Sequence, residues 1–213
     1  GRRPQRLNRY YGDEIPDTVQ NRDDEISMLI SLVSLLPVTQ VYVEDCEADD
    51  VIAYATLRFF NKDRIVVVSS DKDMYQLLSK RVVQWSPGQK SFVTLKTVLK
   101  KFGIHPVNFC TARAFAGDPS DNLDGVPRVG FASLKKRFPE LSGESHVSVS
   151  NIIDICKKRV EKSNLKIYTS ILENVDTSER NWKIMYLDTN NLSAYQIQKI
   201  EATLENDNPK LEK

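Results

Sequence analysis

The sequence predicts an α/β fold, a partly parallel central sheet with flanking helices, joined to a lobe made of helices alone. Up to about residue 94, short runs of apolar and β-branched residues alternate with stretches of helical periodicity, the pattern of strands linked by crossovers. Beyond that point the strand signals fade and only helical candidates follow. The expected division places an α/β core at 1–120 and a helical lobe at 121–213.

Taken in order, residues 1–16 are polar and basic, punctuated by Pro4, Tyr10, Tyr11, Gly12 and Pro16, and are expected to form a loop. Over 17–36, Val19, Ile26, Leu29, Ile30, Val33 and Leu36 recur at helical spacing, until Pro37 ends the pattern. Residues 38–43 are expected as a short strand and 47–60 as an apolar helix. A second strand at 64–68 leads through Ser69 and Ser70 into a short helix at 73–78. Residues 82–85 and 91–94, split by Pro87 and Gly88, suit a hairpin or two edge strands. Helices are expected at Leu95–Phe102, 106–116, 132–138, Val149–Val160, Lys166–Glu173 and 194–204, with a frayed polar tail at 205–213.

Composition excludes several classes. The 213 residues are 40% hydrophobic and 28% charged, the balance of an ordinary globular protein with a real core. The richest apolar stretch, 28–38, is broken by Ser31, Ser34 and Pro37, far short of the roughly 18 apolar residues of a membrane span. No secretory signal pattern is present, and a cytoplasmic location is expected, that of a bacterial host if a phage encodes the chain. Cys46, Cys110 and Cys156 are too scattered for a disulfide framework or a zinc knuckle, with only His105 and His146 to assist. The net charge of +1 is uninformative, because acids gather in short motifs while bases gather at 2–9, 96–101 and 135–137.

The acids carry the chemistry. The run 38–43 leads directly into Glu44, Asp45, Glu47, Asp49 and Asp50, and the run 64–68 leads through two serines into Asp71 and Asp73. Open α/β sheets bind ligands beyond the carboxyl ends of their strands, so the two clusters should meet in one crevice. Glu47 and Asp50, three apart at a helix start, share a face. A third cluster, with Asp118 and Asp121 three apart, lies in a turn-forming stretch. So many carboxylates repel one another unless hard divalent cations compensate them. Two such ions about 4 Å apart suit attack of water on a phosphodiester. Helix caps and solvated turns remain the alternative for any single acid, and the preferred reading for Glu44 and Asp45.

Glu-Ala-Asp-Asp at 47–50, Ser-Ser-Asp-Lys-Asp at 69–73 and Gly-Asp-Pro-Ser-Asp-Asn at 117–122 resemble, in order and spacing, the 5′–3′ exonuclease and flap-endonuclease family. That family includes the 5′-nuclease domain of bacterial DNA polymerase I and stand-alone phage enzymes. Leu-Asp-Gly-Val-Pro-Arg-Val-Gly at 123–130 is similar to its helix–hairpin–helix element, with Arg128 in place of the usual central glycine. The resemblance covers about 2–140 and implies a PIN-like nuclease core.

It also implies roles. Glu47, Asp49 and Asp50 would serve a first metal region, and Asp71, Asp73, Asp118 and Asp121 a second. The ions would be Mg²⁺, two or more, with Mn²⁺ as substitute. Gly125, Val126, Arg128, Val129 and Gly130 would meet a phosphate of duplex DNA, some of them through backbone amides, with K⁺ bound there. Lys135 and Lys136 would continue that basic face, unless they are simply a solvated helix side. Gln-Arg-Leu-Asn-Arg at 5–9 resembles the family's Tyr-Lys-Gly-Asn-Arg stretch at the mobile arch. Arg6 and Arg9 would contact the phosphate being cut, with Lys72 a third catalytic cation and Arg2 and Arg3 on DNA. The family begins with strands ending in further metal-site acids. Nothing before Arg2 supplies them, and those N-terminal strands are expected to be missing.

The implied function is a structure-specific 5′ nuclease acting on flaps, branched or nicked duplexes and RNA–DNA hybrids. It would remove primers or flaps in replication as a monomer, alongside replication proteins and away from membranes. The alternative is a catalytically incomplete DNA-junction-binding module. A toxin-like ribonuclease on a related acidic fold would not need the hairpin. A Walker phosphate loop is excluded, because Phe131 and Ala132 stand where its Lys and Ser/Thr would be.

Overall fold

A computed structural model describes residues 19–206, and the expected loop at 1–16 lies outside them, as does the tail beyond 206. The chain divides into two compact units, residues 1–42 with 197–213, and residues 43–196.

In the first unit, helix α1 (Val19–Val33) takes up most of the stretch read as helical. Gln40 donates its side-chain amide to the Ile30 carbonyl at 3.2 Å beyond the helix end. The strand expected at 38–43 is not formed. A β-branched run becomes a strand only where a neighbour takes up its backbone N–H and C=O groups. Among the described residues none pairs with this one.

The second unit starts with α2 (Ala48–Tyr54), which runs into a π-helical turn at Ala55–Phe59. Arg81 closes that turn, donating to the carbonyls of Thr56 at 2.5 Å and Phe60 at 3.0 Å. Strands β1 (Ile65–Val68), β2 (Val82–Ser86) and β3 (Ser91–Val93) form one sheet in that order. β1 and β2 are parallel, Ile65 opposite Val82 and Val68 opposite Trp85; β2 and β3 are an antiparallel hairpin. The sheet is thus partly parallel, as expected. The crossover between β1 and β2 carries a 3₁₀ turn, Asp73–Leu77, whose Met74 and Leu77 pack with Ala53, Val67 and Val82 in a small core.

Helices then take over: α3 (Leu95–Phe102), α4 (Phe109–Ala116), α5 (Phe131–Arg137), α6 (Val149–Val160), α7 (Lys166–Glu173) and α8 (Val175–Met185), followed by α9 (Ala194–Asn206), which from residue 197 belongs to the first unit. Thr94 caps α3 in a capping box with Thr97. The main core fills this region around Phe109, Phe115, Leu134, Phe138, Ile152 and Ile171. Phe109 stacks on Phe131 at 5.3 Å and meets Phe102 edge-on at 5.2 Å, tying α3, α4 and α5 together. Helix α8 was not expected, because two of its three buried residues are Ser178 and Asn181 and so leave no apolar stripe to read.

Candidate functional site

The acids reach one crevice from three segments. Glu47 is the N-cap of α2, and Asp49 and Asp50 lie in its first turn, where the helix dipole favours negative charge. The chain leaving β1 carries Asp71, and Asp73 opens the 3₁₀ turn. Ligand oxygens of Asp49, Asp71 and Asp73 all lie within 4.8 Å of one another. The loop between them is internally bonded: Ser69 Oγ accepts from Asp71 N at 3.0 Å, and Asp71 Oδ1 accepts from Asp73 N at 2.8 Å. Glu47 and Asp50 flank Asp49.

The third segment is a tight loop after α4. Asp118 and Leu123 exchange two backbone bonds at 2.8 Å, and Asp118 Oδ1 accepts from Ser120 N at 3.0 Å and Ser120 Oγ at 2.6 Å. Gly117 sits at φ +77 with its backbone against Gly125, and a Cβ on either residue would run into the other segment. This contact fixes the acidic loop to the hairpin.

Sequence reasoning missed the residue between these segments. Arg113, on α4 and only 4% exposed, donates to Asp73 Oδ1 at 2.5 Å and forms an ion pair with Asp118, with Asp121 at 4.0 Å. Asp121 itself is 55% exposed. The available signal was an arginine inside an otherwise apolar helix, Phe-Cys-Thr-Ala-Arg-Ala-Phe-Ala. Charges in such places are almost always paired. Ser70, Asp71, Lys72, Arg113, Asp118 and Ser120 line an open cleft, which places Lys72 beside the acids.

Burial, opposed by Arg113 and reinforced by Asp71, Asp121 and Asp49, pushes Asp73 up to about 6. Asp49 is also raised, by burial and then by Asp71, Glu47, Asp50 and Asp121. Asp50 is raised by burial and by Glu47. Burial leads in all three shifts, and the neighbouring carboxylates add to it. All donors in the set are hard oxygens, which fits a hard divalent cation rather than a metal held by thiolates. Cys110 and Cys156 are buried, and burial raises both thiols, Cys156 to about 12, which leaves them unreactive.

The hairpin at 125–130 requires a correction. The amide of Val126 donates to Phe115 O at 2.8 Å and that of Val129 to Val126 O at 3.0 Å, and both side chains are buried. These two residues therefore build the hairpin and do not offer their N–H groups to a phosphate. Gly130 N is likewise taken by Ser133 Oγ at 3.0 Å. What the hairpin exposes is Arg128, at φ +66 in the left-handed region, and Lys135 and Lys136 are exposed on the following helix. Two further side chains hold the hairpin. Ser170 Oγ donates to Pro127 O at 2.6 Å, and buried Asn181 donates to Ala114 O at 3.1 Å and Asp124 O at 2.8 Å. Arg2, Arg3, Arg6 and Arg9 lie outside the described residues.

Comparison with known proteins agrees with this geometry. Residues 5–103 match a family model described as 5′-3′ exonuclease, N-terminal resolvase-like domain. A 5′-3′ exonuclease of Aquifex aeolicus is 30% identical over 186 residues, covering 79% of this chain and 61% of that protein. The thermostable DNA polymerase I of Thermus thermophilus is 30% identical over 154 residues, covering 68% of this chain and 18% of the polymerase. The chain thus spans less than two thirds of the length of these relatives. A bacteriophage T5 protein co-crystallised with metal ions superposes with a TM-score of 0.70 at 19% identity, over 94% of this chain and 75% of that one. The T5 flap endonuclease in a pseudo-enzyme-product complex with DNA and metal ions gives 0.68 at 17% identity, over 94% and 75%. At these identities the likeness is one of fold, and it bears out the expected PIN-like core. Among the described residues no helix is long and apolar enough to cross a membrane.

Proposed function

We infer that this chain, whose residues 5–103 match the 5′–3′ exonuclease family model, is the catalytic body of a divalent-metal-dependent 5′ nuclease acting on branched or 5′-ended DNA. The observation that carries the reading is the convergence of Asp49, Asp71 and Asp73, from two separate segments, to within 4.8 Å. Three carboxylates brought this close repel one another, and a hard divalent cation bound by their oxygens relieves that repulsion. Asp49, Asp71 and Asp73 would hold Mg²⁺, for which Mn²⁺ can substitute, with Glu47 and Asp50 flanking. A divalent ion there supplies Lewis-acid charge for activating water and for stabilising the phosphoryl group under attack.

The chain's own cations do the rest. Lys72 lines the cleft, and with Arg6 and Arg9 it is proposed to meet the phosphate being cut. Arg113 pairs closely with Asp118 and Asp73 and only loosely, at 4.0 Å, with the exposed Asp121, which is proposed to turn toward a second ion. Arg128, Lys135 and Lys136, with Arg2 and Arg3, would hold duplex phosphates, contacts that position the substrate without reading its sequence. The proposed role is removal of flaps or primers in replication, with RNA–DNA hybrids as further substrates.

The test is cleavage of a 5′-flap DNA with Mg²⁺ by the full-length protein, beside Asp71→Asn and Asp121→Asn. Cleavage by the parent and none by Asp71→Asn is the expected result. Cleavage by both variants at the parent's rate would sink the metal-site assignment. One observation favours a second reading, a DNA-junction-binding module: Arg113 already serves Asp73 and Asp118 as an internal cation. Tight flap binding without cleavage by the full-length parent would decide for it.

A further inference from the structure

We propose that Gln84 is a positioning residue for the metal-binding loop, holding Asp71 in place through its side-chain amide. The proposal rests on the metal-site reading above. Gln84 lies in the middle of β2, opposite Val93 of β3, and is completely buried. A buried amide in a sheet is costly unless it is bonded.

Its Nε2 makes two bonds, both to backbone carbonyls of the acidic loop: Ser69 O at 2.6 Å and Asp71 O at 2.8 Å. These carbonyls bracket Ser70, so one planar amide sets the path by which the chain leaves β1. Asp71 is consequently fixed on both sides, its N–H by Ser69 Oγ at 3.0 Å and its C=O by Gln84. Further ties of the loop come from the same strand and its turn. Ser69 N donates to Trp85 O at 3.0 Å, Gly88 N donates to Ser70 Oγ at 3.1 Å, and the Ser70 and Ser86 hydroxyls lie 3.5 Å apart.

Two details separate positioning from simple stability. Gln84 Oε1 has no partner, so only the donor half of the amide is used. The carbonyls it holds belong to the acidic loop, whose Ser69 and Asp71 lie outside both hydrophobic cores, so the two bonds act on the path of the loop. What the amide adds is therefore direction. A side chain of equal length without donors keeps the packing and also removes the unpaired acceptor, while it releases Asp71.

The experiment titrates Mn²⁺ alone into the full-length protein by calorimetry, without DNA, for the parent, Gln84→Met, Gln84→Asn and Asp71→Asn. Melting temperatures are taken in chelator. Partners that orient metal-binding carboxylates are worth about 10–100-fold in affinity. Gln84→Met is expected to raise the Mn²⁺ Kd by about tenfold or more, with its Tm unchanged and flap cleavage restored by excess Mn²⁺. An unchanged Kd in Gln84→Met overturns the proposal and leaves the metal site standing. A parent that binds no Mn²⁺ overturns both. Where Gln84→Met fails to fold, Gln84→Asn, which keeps the amide but is one methylene too short, gives the same reading. Loss of folding in both variants assigns Gln84 to the core and overturns the proposal.

Discussion

The two sides of the acidic crevice face the same charge problem and meet it differently. On one side Asp49 and Asp71 stand at the mouths of α2 and β1, close together and partly open to solvent, with no cation of the protein's own in bonding contact with either among the interactions described. On the other, Asp118 is buried and its charge is matched from within by Arg113. Asp73 belongs to both sets, with an oxygen within 4.8 Å of those of Asp49 and Asp71 and a bond to the Arg113 that pairs with Asp118. A fixed guanidinium suits a carboxylate with little exposed surface, whereas an exchangeable ion suits one that must meet a substrate. The loops are supported accordingly: the strand side by hydrogen bonds from β2, the other by glycine-to-glycine backbone contact and by Asn181.

Arg113→Met breaks this comparison most directly. It leaves Asp118 and Asp73 without their internal cation, and removing one partner of a buried pair costs about 3–5 kcal/mol. Urea unfolding at neutral pH in chelator should show that loss. Asp71→Asn in the same assay removes a repelling charge from the open side, so stability should hold or rise by up to about 1 kcal/mol. If the two variants lose stability equally, the two sides do not differ in the way argued.

Gly117→Ala tests the support on the buried side. The residue has φ +77 and ψ 175, a conformation essentially reserved for glycine, and a side chain there costs about 1–3 kcal/mol before any collision with Gly125 is counted. The thermal midpoint should fall accordingly, and flap cleavage should fall further than the loss of folded protein explains, because Asp118 and Asp121 move with the loop. Wild-type turnover in the folded fraction would show that the loop's placement is not needed.

The shared residue gives the pH dependence. Asp73 is raised from 3.8 to about 6 chiefly by burial. Between those values the folded chain holds more protons than the unfolded one, so metal-free stability should fall as pH rises through the window. Metal binding needs the ionised form, and Mn²⁺ affinity should therefore drop about tenfold for each pH unit below about 6. Calorimetry at several pH values checks this; a flat profile would remove Asp73 from the ligand set.

Much of this was legible in the sequence, for reasons that name residues. Strand β1 showed as a bounded apolar run, and Asp71 and Asp73 followed it at the place where α/β sheets put their ligands. The hairpin strands and α3 were bounded by Pro87, Gly88, Thr94 and Gly103, residues whose local geometry acts without tertiary help. What stayed hidden depends on partners distant in sequence. The run 38–43 has strand composition and no neighbour among the described residues. Helix α8 buries Ser178 and Asn181, whose value lies in bonds to distant backbone such as that of Ala114. Arg113 and Gln84 look respectively like an interruption in an apolar helix and an ordinary strand residue, until the acids they serve are seen beside them.

Arg128→Gly is the smallest and sharpest of the tests, because it should improve the protein as a fold while harming it as a DNA binder. Arg128 sits at φ +66, and a side chain in the left-handed region costs about 1–2 kcal/mol that glycine does not. Glycine's greater freedom in the unfolded chain offsets part of this relief, by about 0.4–1 kcal/mol, so a gain of about 0.5–1 kcal/mol is expected in urea unfolding. Duplex affinity should fall in the same variant, and the slope of log affinity against log salt should lose about one phosphate contact. A variant that is more stable and binds DNA with the parent's salt dependence would make Arg128 a strained residue with no phosphate to hold. Lys136→Ala, exposed on a helix and free of backbone strain, supplies the control: it should lower the salt slope with little change in stability.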